Sequence, residues 1–274
     1  MNDDAELYQK SNTLQKRDAL ECLEEYARKI RWRRLSDRVI DIGCGDGSVT
    51  ASILRRYIPN SCSRLMGCDI SKKMVQHANK HYANNQICFR VMDIEGALPR
   101  ELRNSFDHAF SFYTLHWIKR QECAFRNIFD LLIKGGDCLL IFLGHMPVFD
   151  VYRILARSNR WRPWLKDVDR FVSPYHDTQE PEKKIKVMME AIGFHNVEVK
   201  RKERSFTYDS VEAVKKAVTA VNPFKIPSDM HEDFMEDYVS VVRDMRLIDQ
   251  VNNNIDGLIS VRANYSLLIA YGRK

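Results

Sequence analysis

Val39-Ile40-Asp41-Ile42-Gly43-Cys44-Gly45-Asp46-Gly47-Ser48 is the stretch on which the reading of this chain turns. An apolar, largely β-branched run bounded by glycines predicts a buried strand. The residues after it, Val49, Ile53 and Leu54 among them, have the spacing of a helix. Strand, glycine turn and helix together form a nucleotide cradle: the glycines allow torsions and close approach that a Cβ would block, and the helix start offers unpaired N–H groups. Gly43 and Gly45 fit the first two places of the dinucleotide fingerprint G-x-G-x-x-G, but Ser48 stands where the third glycine belongs. What remains is an acid, Asp41, two residues ahead of three alternating glycines.

The next apolar run, Arg64-Leu65-Met66-Gly67-Cys68-Asp69-Ile70, ends on an acid roughly 20 residues past the loop. A βαβ unit brings that acid beside the first strand's tip, where its carboxylate can accept bonds from both hydroxyls of a ribose. Such charge-assisted bonds contribute roughly 1.5–3 kcal/mol. An acid here also serves as a helix N-cap, a role for which Ser71 is equally suited. Ile87 to Met92 predicts a third strand closing on Asp93 and Ile94, with Asp93 as a turn residue the competing view. Phe106 to Tyr113 predicts a fourth, which delivers Ser111, Phe112 and Thr114-Leu115-His116-Trp117 to the sheet's carboxyl edge, where open α/β sheets bind ligands. A Trp beside a His also suits simple core packing.

The Asp41 to Gly47 run resembles motif I of the class I S-adenosylmethionine-dependent methyltransferases. The resemblance implies an α/β, Rossmann-like fold: a mostly parallel seven-stranded sheet with an antiparallel edge strand and helical lid insertions. It also implies S-adenosylmethionine as cofactor, with S-adenosylhomocysteine as product. The positions it assigns to that cofactor are Asp41, Gly43, Cys44 and Gly45 in the loop and Asp69 with Ile70. Asp93 faces the adenine amino group with Ile94 against the ring, and Ser111, Phe112 and His116 follow the fourth strand.

With 274 residues, 45% of them hydrophobic, the chain can bury a full core. The length fits a single domain over residues 1–274, with a helical segment at 1–36 and lid or substrate insertions at 146–182 and 209–258. No apolar segment follows Met1, and no apolar run approaches the ~18 residues needed to cross a bilayer, so a soluble, cytoplasmic protein is expected. Seven cysteines with no C-x-x-C pair indicate neither a disulfide framework nor a metal site. A net charge of +6 and a pI near 8.9 would suit an anionic partner. The basic clusters at 29–34, 183–186 and 200–204, however, lie on separate elements interleaved with Glu182 and Glu203, which reads as solvated faces and not as a nucleic-acid surface.

In chain order, residues 3–29 predict a surface helix or helix pair, with the stretch Tyr8 to Gln15 read from its composition as a polar loop. The insertion after residue 145 reads as an irregular, aromatic-rich lid or pocket wall. Helices at 210–221 and 229–249 are expected to precede a last strand at 262–271.

A narrower resemblance rests on Leu7-Tyr8-Gln9-Lys10-Ser11-Asn12-Thr13-Leu14-Gln15-Lys16-Arg17, Phe112-Tyr113-Thr114-Leu115-His116-Trp117 and Ser173-Pro174-Tyr175-His176-Asp177. Over nearly the whole chain these look like the insect juvenile hormone acid O-methyltransferases. That family implies farnesoic acid and juvenile hormone acids as substrates, in a monomer or homodimer. It further implies that Gln15 and Trp117 hold the substrate carboxylate, with Tyr8, Ser11 and Asn12 near the cofactor. Phe149, Trp161, Trp164, Tyr175 and Phe224 are the aromatics expected to enclose the isoprenoid chain. A carboxylate is already ionised at neutral pH, so its methylation needs no general base.

Overall fold

The computed structural model describes residues 4–33, 36–250 and 259–274. The apolar runs form the strands β1 (Arg38–Ile42), β2 (Arg64–Asp69), β3 (Ile87–Val91), β4 (Phe106–Phe112) and β5 (Leu132–Leu143). They pair in parallel in the order β3-β2-β1-β4-β5, and most of their residues are buried, because helices cover both faces of such a sheet. β6 (His195–Tyr208) and β8 (Ile259–Arg273) complete it, with β8 lying antiparallel between β5 and β6. A short additional strand, β7 (Ile248–Gln250), pairs with the start of β8. It takes up residues expected to end the preceding helix.

The helices fall in three groups. α1 (Ala5–Ser11), α2 (Thr13–Tyr26), α3 (Arg55–Tyr57) and α4 (Lys72–Tyr82) lie toward one side of the sheet, and buried residues of α2 and α4 join the core on that face. α5 (Gln121–Leu131) packs on the other face, where α8 later joins it. The insertion after β5 holds α6 (Pro147–Arg157) and α7 (Arg162–Leu165), and α8 (Pro181–Ile192) follows. With α9 (Val211–Val221) and α10 (His231–Asp244), α6 and α7 form a cap with an apolar core of its own.

Two expectations change here. The insertion is helical for much of its length: Pro147 opens α6, where its fixed φ and missing N–H cost nothing, and Phe149, Val151, Tyr152 and Leu155 are buried along it. The stretch Tyr8 to Gln15 is likewise helix rather than polar loop, broken only at Asn12 between α1 and α2. Part of the second insertion, residues 251–258, lies outside the described residues.

Candidate active site

Strand order reverses between β1 and β4, and the carboxyl ends of the parallel strands there open a crevice. The loop after β1 lines it. Gly43 has φ +74°, and a Cβ on it would stand 1.9 Å from Thr114 Oγ1, so both backbone and space require glycine. Gly45, with φ +55°, needs glycine for its conformation; its open side faces Tyr8, 3.6 Å from an added Cβ. Its N–H donates to Asp69 Oδ2 (3.0 Å), and Asp69 Oδ1 accepts from the N–H of Ser71 (2.8 Å). Ser71 in turn caps α4 by accepting from Met74 N–H (3.2 Å). The cap is therefore Ser71, while Asp69 ties the glycine loop to the second strand tip.

Asp41 lies behind this loop, 1% exposed. Its Oδ2 accepts from the Thr50 hydroxyl (2.5 Å), and its Oδ1 is buried without a partner. Burial pushes the carboxyl up to about 7, against the Thr50 bond, which lowers it. Thr50 begins a π-helical turn, Thr50–Leu54, within the helical run that leads into α3. Asp93 accepts from Glu95 N–H (3.0 Å), so it is a turn residue that also faces the crevice.

The crevice continues into a cavity of about 600 Å³ running from the tips of β1, β2 and β3 to the cap. Gln15, Gly43, Gly45, Asp69, Ile70, Asp93, Ile94, Phe112, His116, Trp117 and Phe149 all line it. So do Tyr8 and Ser11, whereas Asn12 is buried with its amide 3.5 Å from Ser48 Oγ. Ile70 is 70% exposed, an apolar face turned outward beside Asp69.

Gln15 reaches the cavity because α2 is pinned to the sheet three residues further on. Asp18, fully buried, accepts from the hydroxyls of Tyr113 (2.5 Å) and Tyr265 (2.5 Å) and pairs with Arg17 and Arg204. The Gln15 carbonyl oxygen is buried without a partner. Trp117 belongs to a short 3₁₀ turn, Leu115–Trp117, and stands edge-on to Phe149 at 6.1 Å. His116 beside it is buried, accepts from Leu143 N–H (3.4 Å), and is pulled down to about 3 by desolvation.

Other expected residues lie off the cavity wall. Ser111 donates to the Ile42 carbonyl (2.8 Å) and bridges β1 and β4, and the Cys44 thiol turns back toward Gly67. Trp161 is buried in the cap with its indole N–H on Asp237 (2.7 Å), and Trp164 packs against it. Tyr175 belongs to the core on the opposite sheet face, its hydroxyl on Gln121 (3.0 Å), and Phe224 packs on Tyr152 and Phe171. The wall uses Val218, Val221, Tyr238, Val242 and Val261 instead. Helical periodicity marks such residues as apolar without saying which of two apolar surroundings each one faces.

The residues suit an adenosyl cofactor on three structural grounds. The loop is open where a ligand must approach, an acid stands at the tip of β2 and another just past β3, each followed by an apolar side chain, and a buried Asp41 oxygen is left over behind the glycines. Residues 40–140 match the family described as a methyltransferase domain. The juvenile hormone acid O-methyltransferase of Bombyx mori is 57% identical over 270 residues, covering 98% of this chain and 97% of that one. The Drosophila melanogaster protein of the same name is 38% identical over 278 residues, covering 98% and 92%. Among solved structures, the YcgJ protein of Bacillus subtilis shares the fold (TM-score 0.58, 20% identity, 93% of this chain and 98% of that one). So does Haemonchus contortus phosphoethanolamine N-methyltransferase 2, solved with phosphomonomethylethanolamine and S-adenosylhomocysteine (TM-score 0.56, 16% identity, 94% and 52%). The chain belongs to the juvenile hormone acid O-methyltransferases, and it is a methyltransferase whose methyl donor is S-adenosylmethionine.

Proposed function

We propose that this enzyme methylates the carboxylate of an isoprenoid acid, farnesoic acid or a juvenile hormone acid, to give the methyl ester. The observation that carries the reading is the cavity itself: mostly apolar, large enough for a small lipid, and lined by the Gln15 side chain and the Trp117 indole. When bound, S-adenosylmethionine supplies an electrophilic methyl group and leaves as S-adenosylhomocysteine. Asp41, Gly43, Gly45, Asp69, Ile70, Asp93 and Ile94 are the residues to hold it, with Phe112 and His116 flanking.

Gln15 and Trp117 would orient the acid head group by neutral donors. An Arg partner would bind the carboxylate more strongly but would also quench its nucleophilicity. No side chain has to take a proton, since the attacking oxygen carries none. His116, held neutral by burial, is too weak a base to be recruited for one. The apolar walls exclude water around two charges that cancel on reaction, and the alignment of head group with methyl group supplies the rest.

A small acid is the partner in this reading, and part of the basic surface is engaged in ion pairs: Lys29 and Lys200 meet Glu198, Lys202 meets Glu25, and Arg160 meets Asp233 and Asp237. Among the described residues no helix is long and apolar enough to cross a membrane, and the reading takes the cytoplasm as the compartment. The test is ester formation from farnesoic acid with labelled cofactor. Gln15→Ala and Trp117→Phe are each expected to lower kcat/KM about 10- to 100-fold, the value of a lost bond to a charged group, with cofactor affinity unchanged by calorimetry. Full activity of both variants would overturn the assignment. Asp69→Ala should instead abolish cofactor binding.

A further inference from the structure

Ser173-Pro174-Tyr175-His176-Asp177 contributes nothing to the cavity wall, yet its polar side chains cross to β5, α5 and α6. Ser173 Oγ donates to the Leu143 carbonyl at the end of β5 (2.8 Å), and the Tyr175 hydroxyl bonds Gln121 (3.0 Å). Just before them the Val172 carbonyl accepts from Lys119 Nζ (2.5 Å), two residues past Trp117. His176 is buried, and both its ring nitrogens face the start of α6. Nδ1 accepts from Met146 N–H (3.4 Å), so Nε2 carries the proton and donates to Asp150 Oδ1 (2.8 Å). A phenylalanine would fill the same space without needing partners. Two directed bonds instead fix where α6 begins relative to residues 172–177.

Between Met146 and Asp150 lies Phe149, fully buried, whose ring meets His176 edge-on at 5.4 Å and Trp117 edge-on at 6.1 Å. Two ties from one short stretch therefore converge on the turn that carries Trp117, one through Lys119 and the other through Phe149. Resting on the reading in which Trp117 holds the acid head group, we infer that residues 172–177 form a strap that sets the Trp117 indole, with His176 as its positioning residue acting through Phe149. The Arg153–Asp177 pair beside it is largely solvent-exposed and contributes little. A displaced indole leaves the apolar tail its walls but spoils the alignment of oxygen with methyl group, so loss of the tie falls on turnover more than on binding.

The experiment measures kcat and KM for farnesoic acid, with cofactor affinity by calorimetry, in wild type, His176→Phe, His176→Gln, Trp117→Phe and the double variant His176→Phe/Trp117→Phe. His176→Phe is expected to lower kcat about tenfold while KM and cofactor affinity stay within about twofold of wild type. His176→Gln restores a donor toward Asp150 and should recover most of the lost rate. In the Trp117→Phe background His176→Phe should cost less than about twofold further, because two residues acting through one contact are not additive. Asp150 is one-third exposed and tolerates truncation, so Asp150→Ala tests the same bond, with the same expected loss and non-additivity, if His176→Phe does not fold. Wild-type kcat without the tie, or the same fold loss with and without Trp117, overturns this inference alone. Wild-type turnover in Trp117→Phe itself overturns the head-group reading and this one with it.

Discussion

Asp41 is a carboxyl group in a place where a carboxylate is poorly solvated. Its folded pKa, about 7, lies above the ordinary value near 3.9, so between those two pH values the native state holds a proton that the unfolded chain has lost. The stability this group contributes is present below pH ~4 and is lost as pH rises through 7, at no more than about 1.4 kcal/mol per pH unit. Asp41→Asn cannot titrate. Measured by urea unfolding of the ligand-free protein, the variant is therefore expected to gain stability relative to wild type between pH 5 and pH 7; parallel profiles would remove Asp41 as the source. A cationic ligand favours the ionised form, so calorimetry in buffers of different ionisation enthalpy should show proton release on cofactor binding in wild type and none in Asp41→Asn. The placement of Asp41, Gly43, Asp69 and Asp93 at or beside the strand tips was legible in the sequence because it follows from short spacings along the chain. Trp161 was not, since its indole is claimed by Asp237, 76 residues away, a pairing that no local pattern announces.

At the scale of elements, α2 is the piece whose placement the site needs and whose own sequence explains least. Its mixed-charge surface suggests a loosely docked helix, yet Asp18 is buried at its centre with two phenols and two arginines around it. One helical turn separates Asp18 from Gln15, so the network sets the height at which the amide meets the cavity. Asp18→Asn keeps the shape and removes the charge, and it is expected to cost about 1.5–3 kcal/mol in urea unfolding, the range for hydrogen bonds to a charged group. It should also lower kcat/KM for the acid while leaving cofactor affinity near wild type; normal turnover in a destabilised variant would separate α2's anchoring from Gln15's placement. The single-residue break at Asn12 escaped the sequence reading because polar composition resembles a loop, and the helices there are set by tertiary packing: α1 lies on α4 and α9, and α2 buries Leu14, Ala19, Cys22, Leu23 and Tyr26 in the core. The β7 and β8 pairing escaped it for the same reason: Ile248–Gln250 is strand only because Ile259 and its successors lie opposite.

Over the whole molecule, two packed units meet around a space that neither fills. The sheet with its covering helices has a core on each face, the cap has a third, and the cavity lies where cap and strand tips face one another. Wall residues there have no neighbour on one side, so dispersion contacts are missing until a ligand supplies them. Val218 on α9 is such a residue: 7% exposed, part of the cap core, and lining the cavity. In a filled core a larger side chain costs roughly 1–3 kcal/mol of strain. Val218→Phe instead has free volume to enter, and its melting temperature by calorimetry is expected to equal or exceed that of wild type. The same ring then takes up length that the substrate would occupy. Methylation of farnesoic acid should fall at least tenfold, while that of geranic acid, one isoprene unit shorter, persists. Equal losses on the two acids would show that the ring disturbs the head-group end instead, and a lowered melting temperature would show that α9 faces a tighter wall than the cavity implies.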